Sequence, residues 1–292
     1  MIESAILPGL LALIMFGVGL DVHAHPRGPE AANWRAVTVG LLGAGILLPA
    51  VGTAIAMAFD GDPALKIGLI LLALSPVGLL AGPLAARTGQ NVALAVMLTL
   101  TTSLLYLLLA PPLIVTLLRF AGAATGHVSL PAHLMLGKIV MVTVLPSAAG
   151  ALLTLRHPGE AARLSRQLGR MTTPALGFVL AWIVVDNRDV LLGAPTRLLV
   201  AILLIDVAAV VIATLLGRVF RLEARDRGAL IFAHLMRQEG IGIFIAASLL
   251  AMPIAAVPLI ANTVIGLLFC GLLWARRLST GQHATAARRQ AC

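Results

Sequence analysis

The chain has 292 residues, of which 60% are hydrophobic and 11% charged, and its mean hydropathy is +1.01. Soluble domains average roughly 45–50% apolar and 25% charged residues, so a water-soluble globule is excluded. The net charge of +9 does not indicate a nucleic-acid partner, because the basic residues sit in short gaps between apolar runs and no aromatics are interleaved with them.

A hydrocarbon core about 30 Å thick needs about 20 apolar residues per helix, which leaves room for roughly nine or ten spans and no separate soluble domain. In chain order the apolar runs cover residues 6–20, 37–59, 67–86, 92–118, 134–155, 171–185, 198–216, 230–250 and 254–274. The expectation is therefore an all-α, polytopic membrane protein of about nine transmembrane helices, with residues 1–292 forming one transporter domain. The first run is preceded by Met1-Ile2-Glu3-Ser4, which lacks the basic n-region of a secretory signal, and is read as structure that stays. The first and sixth runs are short and need tilt or local thinning. Asp60-Gly61-Asp62-Pro63 and His157-Pro158-Gly159 carry turn chemistry and read as connectors. The polar, basic tail 281–292 is expected to be disordered. Cys270, inside an apolar run, and Cys292 offer neither a disulfide framework nor metal-ligand spacing.

Orientation follows from lysines and arginines, which cytoplasmic loops retain. Alternate loops on one side hold Arg27 and Arg35, then Arg87, then Arg156, Arg163, Arg166 and Arg170, then Arg218, Arg221, Arg225 and Arg227, then Arg276, Arg277, Arg288 and Arg289. The other side holds Lys66, Arg119, Arg188 and Arg197. One missed or invented span would scramble this bias, so it supports nine spans with the N-terminus outside and the C-terminus in the cytoplasm. The expected location is the plasma (inner) membrane.

Two spans depart from plain lipid-soluble helix. The third contains Ser75-Pro76-Val77-Gly78 and Ala81-Gly82-Pro83, and the eighth contains Arg237-Gln238-Glu239-Gly240. Proline removes a backbone donor and glycine loosens the helix, so the third span should be interrupted near its middle. Freed backbone groups are tolerated at membrane depth only against protein or a water-filled cavity, where half-helix ends present dipoles to an anion or a coupling cation. Paired interrupted spans in corresponding positions are the sequence pointer to a transporter site. The third and eighth correspond if the first half has one leading helix fewer, which fits repeats of inverted orientation.

An ionised Glu239 at mid-helix costs about 2.5–3.5 kcal/mol on insertion scales, a cost that marks a binding residue for a cation or a proton. The competing reading is that Arg237 or Gln238 neutralises it and the cluster anchors the helix, and an interfacial anchoring role is the expectation for His234 and Arg237. Asp206 and Lys138 are polar positions that either line a pathway or pair with each other, although a lysine such as Lys138 more often snorkels to the interface. Thr99, Thr101, Thr102 and Ser103, together with Asn262 and Thr263, are able to contact a solute, although hydroxyls commonly bond their own helix carbonyls. Gly40, Gly43 and Gly45 read as positions of close helix packing. No nucleophile is found with a base at useful spacing, which argues against an enzyme.

These residues resemble the bile acid:sodium symporter family. The run Met15-Phe16-Gly17-Val18-Gly19-Leu20 is similar to the end of that family's second helix. The stretch from Pro76 to Asn91-Val92-Ala93-Leu94-Ala95-Val96 is similar to its crossing fourth helix and the start of its fifth, and Arg237-Gln238-Glu239-Gly240 is similar to its crossing ninth helix. Ten-helix members carry one more N-terminal helix, and nine-helix members are similar to this chain. The resemblance implies two crossing discontinuous helices and alternating access. It also implies sodium-coupled movement of small organic anions, which are carboxylates, sulfonates or bile acid-like molecules. The site residues on the stretches that resemble the family are Pro76, Gly78, Ala81, Gly82, Thr99, Gln238, Glu239 and Gly240, to which the polar pair Asn262 and Thr263 is added from its place within a span, with Glu239 and Thr99 as candidate sodium ligands.

The chain departs from the family at the expected sodium positions. Ala81-Gly82 stands where Ser-Asn is expected, Ala95 where serine is expected, Ala44 where glutamine is expected, and Ile243-Phe244 where Gln-Asn is expected. The resulting expectation is a transporter that is not a standard two-sodium symporter and uses a proton on Glu239, one sodium ion or no coupling ion. The alternative is a degenerate member acting as a membrane sensor or interaction protein.

Overall fold

A computed structural model describes residues 33–78, 80–120, 140–168, 195–250 and 252–272, with isolated positions at 9, 12, 13, 15–17, 19, 20, 137, 185, 188 and 193. Most of the first span (6–20), most of the sixth (171–185), Lys138 and the tail 281–292 lie outside the described residues. Every regular element among the described residues is helical, apart from one isolated bridge. Lipid offers no partner for backbone N–H and C=O groups, and a helix satisfies them within one segment.

Helix α1 (Trp34–Ala58) opens with Asn33 accepting the Arg35 N–H at 3.1 Å and widens into a π turn at Gly43–Leu47. Helix α2 (Pro63–Leu74) begins four residues before the expected span, because Asp62 caps it through Ala64 N–H at 2.8 Å and Pro63 occupies its first position. Helices α3 (Ala81–Arg87), α4 (Val92–Phe120) and α5 (Val140–Arg156) follow. The expected connector at His157-Pro158-Gly159 is mostly helix. Only His157 leaves helical geometry, and Pro158 starts a further helix over residues 158–168, a position where the missing N–H costs nothing. Helices α6 (Thr196–Val219) and α7 (Ala224–Leu235) lead to α8 (Glu239–Phe244), which continues as a π turn at Ile245–Leu249. Helix α9 (Pro253–Leu272) completes the described chain.

Three of these, α1, α6 and α9, are each long and apolar enough to cross a membrane unaided. Helix α6 shows the inversion expected of a lipid-facing helix. Its exposed positions include Val200, Leu203, Leu204, Val207, Val211 and Leu215, whereas its buried face adds to Leu198, Ile202 and Ile205 the small residues Ala201, Ala209, Ala213 and Gly217 and the acid Asp206. Small residues let neighbouring backbones approach where lipid supplies no hydrophobic drive between helices. The glycines of α1 serve the same end, since a Cβ on Gly40 would lie 2.5 Å from a Leu98 methyl group of α4.

The third and eighth spans are each divided. Each contributes one half to each of two apolar cores. Ile67, Leu69 and Leu72 of α2 pack with Ile241 and Phe244 of α8, Leu259 of α9 and Ile202 of α6. Ala81 and Ala85 of α3 pack with Leu230, Phe232 and Ala233 of α7, Leu98 of α4 and Val37 of α1. The breaks therefore join the two cores, with Val77 and Met236 still packed in the second and the polar Ser75, Arg237 and Gln238 buried beside them.

Candidate functional site

Helix α2 ends at Leu74 because Pro76 has no N–H and Ser75 turns to extended geometry, its hydroxyl donating to Leu71 O at 2.8 Å. Helix α7 ends at Leu235, and Met236 is likewise extended. The two unwound segments lie antiparallel and pair at Val77 and Arg237. Gly78 N–H donates to Met236 O at 2.8 Å, and Gln238 N–H donates to Pro76 O at 2.9 Å. This close approach requires glycine at position 78, where a Cβ would lie 2.6 Å from Arg237 O.

The remaining freed groups are met by α4 and by Arg237. Val77 N–H donates to Thr102 Oγ1 at 3.1 Å, and the Thr99 hydroxyl lies 3.3 Å from Gly78 O and 3.1 Å from Ala95 O. The Arg237 guanidinium, buried at 6% exposure, reaches across to the end of α2, where Nη1 donates to Ser75 O and, at 3.4 Å, to Ala73 O. Cationic donors near the last carbonyls of a helix complement its dipole. Arg237 was expected to anchor or to neutralise Glu239; instead its hydrogen bonds go to backbone, and no ion pair within 4.0 Å joins it to Glu239. His234 is also no interfacial anchor. It is fully buried against Gly43 of the α1 π turn, with Nδ1 2.8 Å from Leu230 O and Nε2 without a partner.

Glu239 is half-buried as the first residue of α8, where the helix dipole favours a negative charge. Asn262 of α9, fully buried, donates Nδ2 to Glu239 Oε1 at 2.9 Å, and its Oδ1 has no partner. Asp206 enters from α6, 2% exposed and with Oδ2 unpartnered, within electrostatic range of both Arg237 and Glu239. Its sequence signal was its position as the one acid in a 24-residue apolar helix. Its suggested partner, Lys138, lies outside the described residues.

Of the expected site residues, Pro76, Gly78, Thr99, Gln238, Glu239 and Asn262 gather at the crossing. Gly240 follows Glu239 in α8, whereas Ala81 and Gly82 begin α3, which packs against α7 and α4, with Gly82 set closely against Val96 of α4. Thr263 turns its hydroxyl to Leu259 O of its own helix at 3.1 Å. No hydrogen bond joins Thr99 to Glu239. The side-chain oxygens open to a small cation are the Glu239 carboxylate, the unpartnered Asn262 Oδ1 and, on α6, the unpartnered Asp206 Oδ2, whereas Ala44, Ala81, Ala95, Ile243 and Phe244 are buried without side-chain oxygen.

The sodium bile acid symporter family model matches residues 8–172. A Bacillus subtilis protein named as an uncharacterized sodium-dependent transporter is 21% identical over 248 residues, covering 85% of this chain and 75% of its own length. A probable chloroplastic sodium/metabolite cotransporter of Oryza sativa subsp. japonica is 25% identical over 259 residues, covering 87% of this chain but only 59% of its own. The match spans the first interrupted span, the turn after it and the helix that braces its break. The chain is a multi-pass integral membrane protein of a transporter family rather than an enzyme, and it belongs to the sodium bile acid symporter family.

Proposed function

We propose that the chain is a secondary transporter of small organic anions, carboxylates, sulfonates or bile acid-like molecules, working by alternating access in the plasma membrane. Nine spans arranged as inverted repeats, with the N-terminus outside and the C-terminus in the cytoplasm, complete this reading. The observation that carries it is the antiparallel pairing of two interrupted spans beside a half-buried carboxylate. The positive end of the α8 dipole and the Arg237 guanidinium favour negative charge there. The carboxylate of Glu239 with Asn262 Oδ1 is the seat of the coupling cation, a proton or one sodium ion, while Gln238, Gly240, Thr99 and the Pro76–Gly82 stretch shape the solute side. The residues fit a single small cation at Glu239. Among the described residues, those at the expected sodium positions 44, 81, 95, 243 and 244 do not supply side-chain oxygen ligands for a second hard-cation site.

Thermal shift of the purified protein against carboxylates and sulfonates, with and without sodium and across pH, tests this reading, because a ligand that binds only the folded state raises its stability. At least one anion class should raise Tm, and proteoliposomes should then take up that anion. Absence of both stabilisation and uptake would favour the non-transporting sensor, a reading for which the apolar residues at positions 44, 81, 95, 243 and 244 argue.

A further inference from the structure

A membrane helix that stops within the bilayer leaves its last carbonyls without helical donors and presents the negative end of its dipole, and transporters seat cations at such ends. The crossing has two of them. At the end of α7, Met236 O accepts the Gly78 N–H. At the end of α2, the carbonyls of Ala73 and Ser75 converge on Nη1 of Arg237, a side chain sent from the other interrupted span. Its Nη2 has no partner. The acids within electrostatic range are Asp206 and Glu239, and neither forms an ion pair with it. The guanidinium therefore meets backbone carbonyls in the way a bound cation would, and it cannot leave.

We propose that Arg237 is a tethered cation that permanently fills the carbonyl seat at the end of α2, closing it to mobile ions and confining any mobile monovalent cation to Glu239 and Asn262. Asp206 and Glu239 both lie within electrostatic range of this one fixed positive charge. The inference rests on the transporter reading for its meaning, but its test requires no transported solute.

The test compares purified full-length protein with Arg237→Gln in choline, sodium and methylguanidinium chloride at fixed ionic strength. Arg237→Gln should melt lower in choline and recover with sodium or methylguanidinium by a Tm shift clearly larger than that of the wild type. A response no larger than the wild type's for every cation would overturn the proposal. Should that variant fail to fold, radiolabelled sodium binding to the wild type and Glu239→Gln decides. No more than one sodium ion bound per wild-type chain and none bound to Glu239→Gln supports the closed seat, and more than one bound to the wild type, or any that survives in Glu239→Gln, overturns it. Failure of solute uptake alone would leave both readouts intact, so the two ideas fail separately.

Discussion

The third span stops where Ser75, Pro76 and Gly78 deny it a continuous helix, whereas the eighth stops at Met236 with neither proline nor glycine between residues 231 and 239. The third supplies bare backbone to the crossing. The eighth supplies Arg237, Gln238 and Glu239. Each unwound segment thus depends on what the other lacks, since the carbonyls of one meet the guanidinium of the other and the amides of both are exchanged across the bridge. One break is written into local composition and the other is held by tertiary contacts, so damage to the eighth span's side chains should cost more than loss of the proline that marks the third.

The largest effect is expected from Arg237→Met, which keeps an unbranched stem but removes the guanidinium, leaving two acids without a nearby positive charge and the α2 carbonyls without their donor. Removing one partner of a buried charged set costs roughly 3–5 kcal/mol, read as a lower midpoint in thermal or denaturant unfolding in detergent. Gly78→Val comes next, because its Cβ would meet the Arg237 backbone; overpacking of this kind costs roughly 1–3 kcal/mol and should also lower uptake. Thr102→Val keeps the volume but strands the buried Val77 N–H, a loss of about 1–3 kcal/mol by the same unfolding measurement. Pro76→Ala should be mildest, about 0.4–1 kcal/mol, because the break stays pinned by the bridge while the unfolded chain gains freedom. A Pro76→Ala variant less stable than Arg237→Met would reverse the comparison.

What the residues disclosed in advance follows from the same contrast. Pro76 and Gly78 announce the third break through backbone chemistry that needs no partner, and apolar run lengths announce α1, α6 and α9. Glu239 stands out by the cost of an acid at membrane depth. The role of Arg237 was not legible, because a basic residue near a span end reads as an anchor until its partner carbonyls, 162 and 164 residues away, come into view. Thr263 and Asn262 are neighbours in sequence, yet helical geometry gives them different directions, so that one bonds its own helix and the other reaches Glu239. The connector at 157–159 misled because His-Pro-Gly also suits a one-residue break between two helices.

The central claim is that the carboxylate beside the crossing couples the movement of a solute. Its most direct test is uptake of a stabilising organic anion by proteoliposomes carrying the wild type or Glu239→Gln at equal density, under an imposed sodium or proton gradient. Glutamine retains the shape of the side chain and removes its charge, so the account predicts that gradient-driven uptake disappears while folded yield and Tm persist. Gradient-driven uptake by Glu239→Gln at the wild-type rate would contradict it.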